Sequence, residues 1–174
     1  MPPTIRRATC QDAAVLADLG ARTFYDAFAN DNKPEDIDSY VAQAFTPEQM
    51  AAELADPRSM FMLVQMNDQA VGYAKLYTGK APACVDDPRP IELARIYVDQ
   101  QVIGRGLGAT LMRACLEEAQ QAQCGVLWLG VWEQNDHARA FYRKWGFNVV
   151  GTKTFTVGQD VQNDVVMMRI LDSR

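Results

Sequence analysis

The sequence predicts an α/β fold: a mixed, mostly antiparallel central sheet of about seven strands, with helices on both faces. Three observations predict it. Apolar residues recur at helical spacing as far as Asp56 and give way to short strand-like runs from Met60 onwards. Residues 91–98, a glycine-rich turn, residues 109–123 and residues 126–132 read as strand, helix and strand, which is a βαβ unit. The last of these segments, VLWLGVW, is apolar on both faces, as a strand in the middle of a sheet must be.

The elements follow in order. Residues 4–8 form a short first strand. Thr9 caps the next segment with Asp12 three residues on, a variant of the capping box. Ala14, Leu16, Leu19, Phe24 and Phe28 mark a helix that fades at Asn30-Asp31-Asn32. Pro34 opens a second helix through Ile37, Tyr40, Val41 and Phe45. Thr46-Pro-Glu-Gln49 is another capping box, starting a third helix that ends near Asp56-Pro57. Residues 60–66 and 70–77, separated by Asn67-Asp-Gln69, read as a β-hairpin. Residues 79–90, with three prolines, form a loop. The helix over 109–123 turns Leu111, Met112, Cys115, Leu116 and Ala119 inward. Asn135 caps a last helix that ends at Gly146 with Arg143 and Lys144 in its final turn. Residues 147–157 and 165–171 complete the sheet. No repeat, low-complexity segment or linker divides residues 1–174, so a single domain is expected.

Composition narrows the function. The net charge is −5, which argues against nucleic acid as a partner. No apolar run approaches the roughly 18 residues of a membrane span, and MPPTIRRATC has no apolar signal core, so a cytoplasmic protein is expected. Cys10, Cys84, Cys115 and Cys124 show no CxxC spacing, which speaks against a disulfide framework or a metal site. Acid is concentrated between Asp26 and Asp38, where Asp26, Asp31, Glu35, Asp36 and Asp38 face only Lys33. That stretch suits a cationic small molecule, or simply a solvated helix face.

The most informative run is Val98-Asp-Gln-Gln-Val-Ile-Gly-Arg-Gly-Leu-Gly-Ala-Thr-Leu-Met112. Gly104, Gly106 and Gly108, with Arg105 among them, lead from a strand into a helix. Backbone N–H groups at such a helix start, with its positive dipole end, form a cradle for phosphate. Gly104, Gly106 and Ala109 also satisfy the dinucleotide pattern G-x-G-x-x-A. That pattern belongs in the first βα turn, with an acidic strand end soon after; here it lies in mid-chain, and the next such carboxylate, Glu133, comes too late.

The turn resembles that of the GNAT superfamily of N-acetyltransferases, whose pattern Q/R-x-x-G-x-G/A opens a helix onto the pyrophosphate of acetyl-CoA. Aligned through Arg105-Gly-Leu-Gly-Ala-Thr-Leu111, the Q/R position falls on Ile103, a departure; Gln101-Val-Ile-Gly104-Arg-Gly106 fits in another frame but too far ahead of the helix. A second element of the family is present in full: Asn135, then Ala140-Phe-Tyr142, then Gly146-Phe147. Thr23-Phe-Tyr-Asp-Ala-Phe28, Arg95-Ile-Tyr-Val98, Leu129-Gly-Val-Trp-Glu-Gln-Asn135 and Ala140-Phe-Tyr-Arg-Lys-Trp-Gly-Phe147 look like the Pai-type spermidine/spermine acetyltransferases within it.

The resemblance implies a GNAT-like acyl-CoA-binding fold and acetyl-CoA as donor. The backbone of Ile96, Tyr97 and Val98 would hold pantetheine on a bulged strand that splays from its neighbour. Ile103, Gly104, Arg105, Gly106, Leu107, Gly108 and Ala109 would hold the pyrophosphate. Lys144 would reach a CoA phosphate, or merely complement the helix dipole. Asn135 would cap its helix, bind pantetheine, or do both. Tyr142, about two turns further on, faces the same side and would protonate the departing thiolate, unless it is a core aromatic beside Phe141 and Phe147. An alkyl amine with a pKa near 10.4 is about one part in a thousand neutral at pH 7, so a base is required. Glu92 is the leading candidate, with pairing to Arg95 as the alternative. The sole histidine, His137, sits in an exposed first turn, and no catalytic role is expected of it. Phe24, Tyr25, Asp26 and Phe28 would receive a polyamine such as spermidine or spermine through charge and cation–π contact. A peptide or protein N-terminus is the second enzymatic option, and a non-catalytic acyl-CoA-binding module the option from another class. Many members of the family are homodimers, and no residue pattern here marks an interface.

Overall fold

The computed structural model describes residues 2–171. Strand β1 (Thr4–Arg7) leads through a short 3-10 turn (Cys10–Asp12) into α1 (Ala13–Phe28), α2 (Pro34–Ala44) and α3 (Pro47–Ala55). Then come β2 (Ser59–Met66), β3 (Gln69–Tyr77), β4 (Pro90–Val98), α4 (Leu107–Gln121), β5 (Val126–Trp132), α5 (Asp136–Lys144), β6 (Asn148–Val157) and β7 (Asp160–Ile170). The seven strands form one open sheet in the order β1-β2-β3-β4-β5-β7-β6. Among the described residues β4 and β5 are the only parallel pair. The predicted fold class is the observed one.

Two cores explain why helices cover both faces. Leu111, Met112, Cys115 and Ala119 of α4 meet Leu127, Leu129 and Val131 of β5 and Leu93 of β4 on one face. Leu16, Leu19 and Phe24 of α1, with Ile37, Phe45 and Met50, meet Phe61, Leu63 and Tyr73 on the other. Truncating any one of the fully buried aliphatic side chains to alanine would cost about 2–5 kcal/mol. Thr9 and Asp12 close a reciprocal capping box as expected, whereas only half of the one expected at Thr46 forms: Thr46 accepts from the Gln49 amide at 3.0 Å, but the Gln49 side chain donates to Glu53 at 3.0 Å.

Several boundaries differ from the sequence expectation. Helix α4 starts at Leu107 rather than Ala109, because Gly104 and Gly106 take φ of 92° and 77° and turn the chain within the loop itself. Leu107 is then the first helical residue, and it is buried. The α4 helix ends at Gln121, not Gln123, which sits at φ 59°. In the β2–β3 hairpin only Asn67 and Asp68 are turn residues, both left-handed, while Gln69 already pairs with Met66. Strand β7 begins at Asp160 instead of Val165, since its polar start pairs with β6 beyond the core, down to Val157↔Asp160. No helix of the described residues is long and apolar enough to cross a membrane.

Candidate active site

Strand β4 shapes the site by a single extra residue. Tyr77 and Leu76 of β3 pair with Glu92 and Leu93, but Lys75 and Tyr73 pair with Arg95 and Tyr97, so Ala94 is a bulge. Without it, Glu92 and Arg95 would face opposite sides of the sheet. With it, Glu92, Arg95 and Tyr97 all point to the face covered by α1, α2 and α3. Beyond the bulge β4 also leaves its other neighbour. Its parallel pairing with β5 runs through Pro90↔Val126, Ile91↔Leu127 and Glu92↔Trp128 and then stops. The sheet is split from there onwards.

A cavity of about 400 Å³ fills the split. Ala94, Ile96 and Tyr97 line one edge, and Gly130, Val131 and Trp132 the other. Asn135, Ala138 and Tyr142 of the α5 segment close it on one face of the sheet, with Phe24, Phe28 and Tyr40 on the opposite face. The cavity thus takes its walls from both faces of the sheet.

Tyr142 packs edge-on against Phe141 and Phe147, with ring centroids 5.5 and 5.8 Å away, and still lines the cavity. Burial, with the Tyr97 hydroxyl and the Cys115 thiol adding to it, raises its pKa, so the phenol stays protonated. Asn135 Oδ1 accepts from the Ala138 amide at 3.1 Å, which establishes its capping role and leaves its amide N–H donors over the cavity. Glu92 lies half-buried in the wall. Burial raises its pKa, and Lys153, Lys75 and Arg95 offset this only in part.

The alternative pairing of Glu92 with Arg95 does not form among the described residues. Glu53 of α3 takes Arg95 instead, at 2.9 Å, and Lys75 at 2.6 Å. Burial opposes the Glu53 charge, but Arg95, Lys75 and Gln49 together outweigh it and hold its pKa down. Glu92 keeps its own carboxylate free for the cavity.

At the start of α4 the residues fit a pyrophosphate. A Cβ added to Gly104 or Gly106 would meet nothing within 4 Å, so no side chain crowds the turn at these two glycines. The first intrahelical bond runs from the Thr110 amide to the Gly106 carbonyl at 3.1 Å, leaving the amides of Leu107, Gly108 and Ala109 free for a ligand. Gly108 stands within the first turn of the helix rather than before it. A helix start at Leu107 selects the alignment in which Ile103 holds the Q/R position, and Ile103 is 65% exposed there.

Of the other residues singled out in the sequence, Val98 packs against the core beside α4. Arg105 is exposed. Lys144 lines a separate open groove with Trp145, Gly146 and Arg169. On the acceptor side Phe24 and Phe28 reach the cavity, whereas Tyr25 and Asp26 stay at the surface, where the Tyr25 hydroxyl donates to Asp38. Asp31, Glu35 and Asp36 line another cleft with Gly158, Gln159 and Asp160, and Asp36 accepts from the Gln159 amide at 3.3 Å. The acidic stretch therefore does not line the cavity of Glu92 and Tyr142. Besides Glu92 and Arg95, two charges that do line it were missed in the sequence: Lys153 of β6 and Asp164 of β7, each preceding or interrupting strand residues of ordinary alternating pattern.

Known proteins resemble this chain in sequence and in fold. Residues 21–147 match the model of the Acetyltransferase (GNAT) family. An uncharacterised N-acetyltransferase of Mycobacterium bovis is 37% identical over 160 residues, covering 92% of this chain and 98% of that protein. The N-alpha-acetyltransferase RimI of Mycobacterium tuberculosis is 33% identical over 153 residues, 87% and 82% of the two chains. The spermine/spermidine N(1)-acetyltransferase of Bacillus subtilis is 31% identical over 64 residues, 36% and 42% of the two chains. Among solved structures, PaiA N-acetyltransferase from Thermoplasma acidophilum, in complex with coenzyme A, superposes with a TM-score of 0.78 at 20% identity over 98% and 99% of the chains.

Proposed function

The chain belongs to the acetyltransferase (GNAT) family, and from that premise we propose that its acceptor is a polyamine such as spermidine or spermine. It is an acetyl-CoA-dependent N-acetyltransferase, so the acceptor is the open question. The observation that carries the polyamine reading is the cavity wall: Phe24, Phe28, Tyr40 and Phe155 line the same cavity as the half-buried Glu92. A flexible polycation gains charge pairing and cation–π contact from such a wall. The partial likeness to the Bacillus spermine/spermidine enzyme supports it too. The likeness to RimI, over most of both chains, favours a peptide or protein N-terminus as the second reading.

Acetyl-CoA supplies the acetyl group as a thioester, already activated toward an amine. The amides at the start of α4 hold its pyrophosphate, and Ile96, Tyr97 and Val98 offer the backbone of a splayed strand to its pantetheine arm. One of those amides, preset in the split sheet, polarises the carbonyl, an effect worth about 3 kcal/mol. Glu92, its pKa raised by burial, removes the proton from the acceptor amine. Tyr142 Oη keeps a proton ready for the leaving sulfur. Lys144 complements the dipole of α5 from its last turn, in a groove of its own. Four unpaired cysteines agree with a reducing cytoplasm.

A thiol-release assay with acetyl-CoA and a panel of spermidine, spermine, amino acids and peptides tests the reading. The polyamines should turn over fastest. Polyamines inert at millimolar concentration, beside a reactive peptide N-terminus, would replace the first reading by the second.

A further inference from the structure

Asp164 is the buried carboxylate of the cavity that the chemistry so far leaves unused. It stands on β7 opposite Trp132 of β5 and Lys153 of β6, and it lines the same cavity as Glu92 and Tyr142. The residue is only 7% exposed. Among the described residues no cation lies within 4.0 Å of its carboxylate. Buried carboxylates are ordinarily paired, so an unpaired one facing a cavity marks a place for a cation. Burial raises its pKa, Lys153 offsets this, and Glu133 adds to it, which is what an incomplete ion pair produces.

The glycine of β5 makes room for this group. A Cβ on Gly130 would stand 3.3 Å from Asp164 Oδ2 and 3.1 Å from Lys153 Nζ, so both side chains converge over the bare backbone of Gly130. The charges around the cavity are not paired one to one. Of the charged lining residues, Arg95 is engaged by Glu53. What remains is Glu92 and Asp164 against Lys153, whose ammonium also lies 5.6 Å from the Trp128 ring centroid. Asp164 therefore faces the cavity without an ion-pair partner of its own among the described residues, although the wider cluster, in which Glu53 is shared by Arg95 and Lys75, is balanced in charge.

The reacting nitrogen cannot serve as that partner, because it must be neutral when it attacks. A second nitrogen on the same acceptor can. We propose that Asp164 binds the second, unreacting ammonium of a di- or polyamine, and so sets the acceptor class. This rests on the polyamine reading above and deepens it: Glu92 serves the nitrogen that reacts, Asp164 the one that does not.

Acetylation of α,ω-diamines and of n-alkylamines of equal chain length, with wild type and Asp164→Asn, tests the inference by thiol release. Wild type should prefer the diamine, through KM, and the preference should peak at one chain length because the second site is fixed. In Asp164→Asn the diamine-to-monoamine ratio of kcat/KM should fall about thirtyfold, and Asp164→Glu should restore part of it. Because the ratio is taken within one variant, partial loss of folded enzyme does not affect it. If Asp164→Asn does not fold, the chain-length series on wild type decides: a preference that rises steadily with length, without a peak, overturns the fixed site. A wild type that prefers diamines while Asp164→Asn keeps the preference overturns the inference alone. A wild type that favours neither class, or acetylates neither, overturns it together with the polyamine reading.

Discussion

Tyr142 shares its ring with the core and its hydroxyl with the cavity, so a phenylalanine can replace it without loss of packing. Tyr142→Phe should lower kcat by about a hundredfold, the usual contribution of a positioned acid, with acetyl-CoA affinity by calorimetry little changed. Since burial raises the phenol pKa, wild-type turnover should show no loss of this acid up to about pH 10, the ordinary phenol value. Unchanged kcat in the variant would return Tyr142 to a purely structural role. Glu92→Gln should cut kcat/KM near neutrality, and the deficit should narrow as pH rises. The reason is that the neutral fraction of an alkyl amine grows about tenfold per unit below its pKa near 10.4, making a base progressively unnecessary. A deficit constant with pH would exclude Glu92 as that base. Tyr142 was legible in the sequence because its motif is local to one helix. Asp164 was not, because only the β6–β7 and β5–β7 registers bring it beside Lys153 and Trp132.

At the scale of the element, the turn from β4 into α4 separates two uses of glycine. Gly106 has φ 77° and open space beside it, so a side chain there is strained by the backbone alone. Gly108 is helical, and a Cβ on it would only touch Phe141 at 3.7 Å, an ordinary contact. Gly106→Ala should therefore lower stability by about 1 kcal/mol. Gly108→Ala should hold or slightly raise it, since alanine suits a helix better by about 1 kcal/mol. Both should weaken acetyl-CoA binding if the amides of this turn hold its pyrophosphate. Thermal melts with and without acetyl-CoA separate the two effects. A Gly108→Ala protein with full acetyl-CoA affinity would show that the ligand does not approach that close. The turn's glycines were visible in the sequence, but its register was not: two left-handed residues complete the turn early, and Leu107 is drawn into the core.

Across the whole molecule, Glu53 ties α3 to β3 and β4 by holding Lys75 and Arg95 at once. Its side chain is 11% exposed, so the pairing is shielded from solvent. Glu53→Gln would leave two cations close together with no carboxylate between them and should cost about 3 kcal/mol at neutral pH. The sign of the pH dependence follows from its lowered folded-state pKa. The contribution is full above the unfolded value near 4.3 and is lost as pH falls through the lower folded value. The difference in denaturation midpoint between wild type and Glu53→Gln should thus be wide at neutrality and close in acid. A gap independent of pH would mean that packing, not charge, binds α3 to the sheet. The same contact serves the site, because it withdraws Arg95 from Glu92. The pairing spans 42 positions between Glu53 and Arg95, and nothing local in the sequence announced it.

The sequence by itself determined the order and type of the elements, the helices on both faces of the sheet, the glycine turn before α4 and the helix capped by Asn135. Each of these is written in residues within a few turns of one another, where period, capping and turn chemistry act directly. Tertiary structure alone decided which charges share the cavity. The Ala94 bulge turns Glu92 and Arg95 to one face, the parting of β4 from β5 opens the sheet, and the late strands bring Asp164 and Lys153 over Gly130. The acidic stretch between Asp26 and Asp38, conspicuous in the sequence, is left lining another cleft or at the surface. Charge density along a chain says little about charge density in a site, because strand register, and not sequence distance, sets which side chains meet.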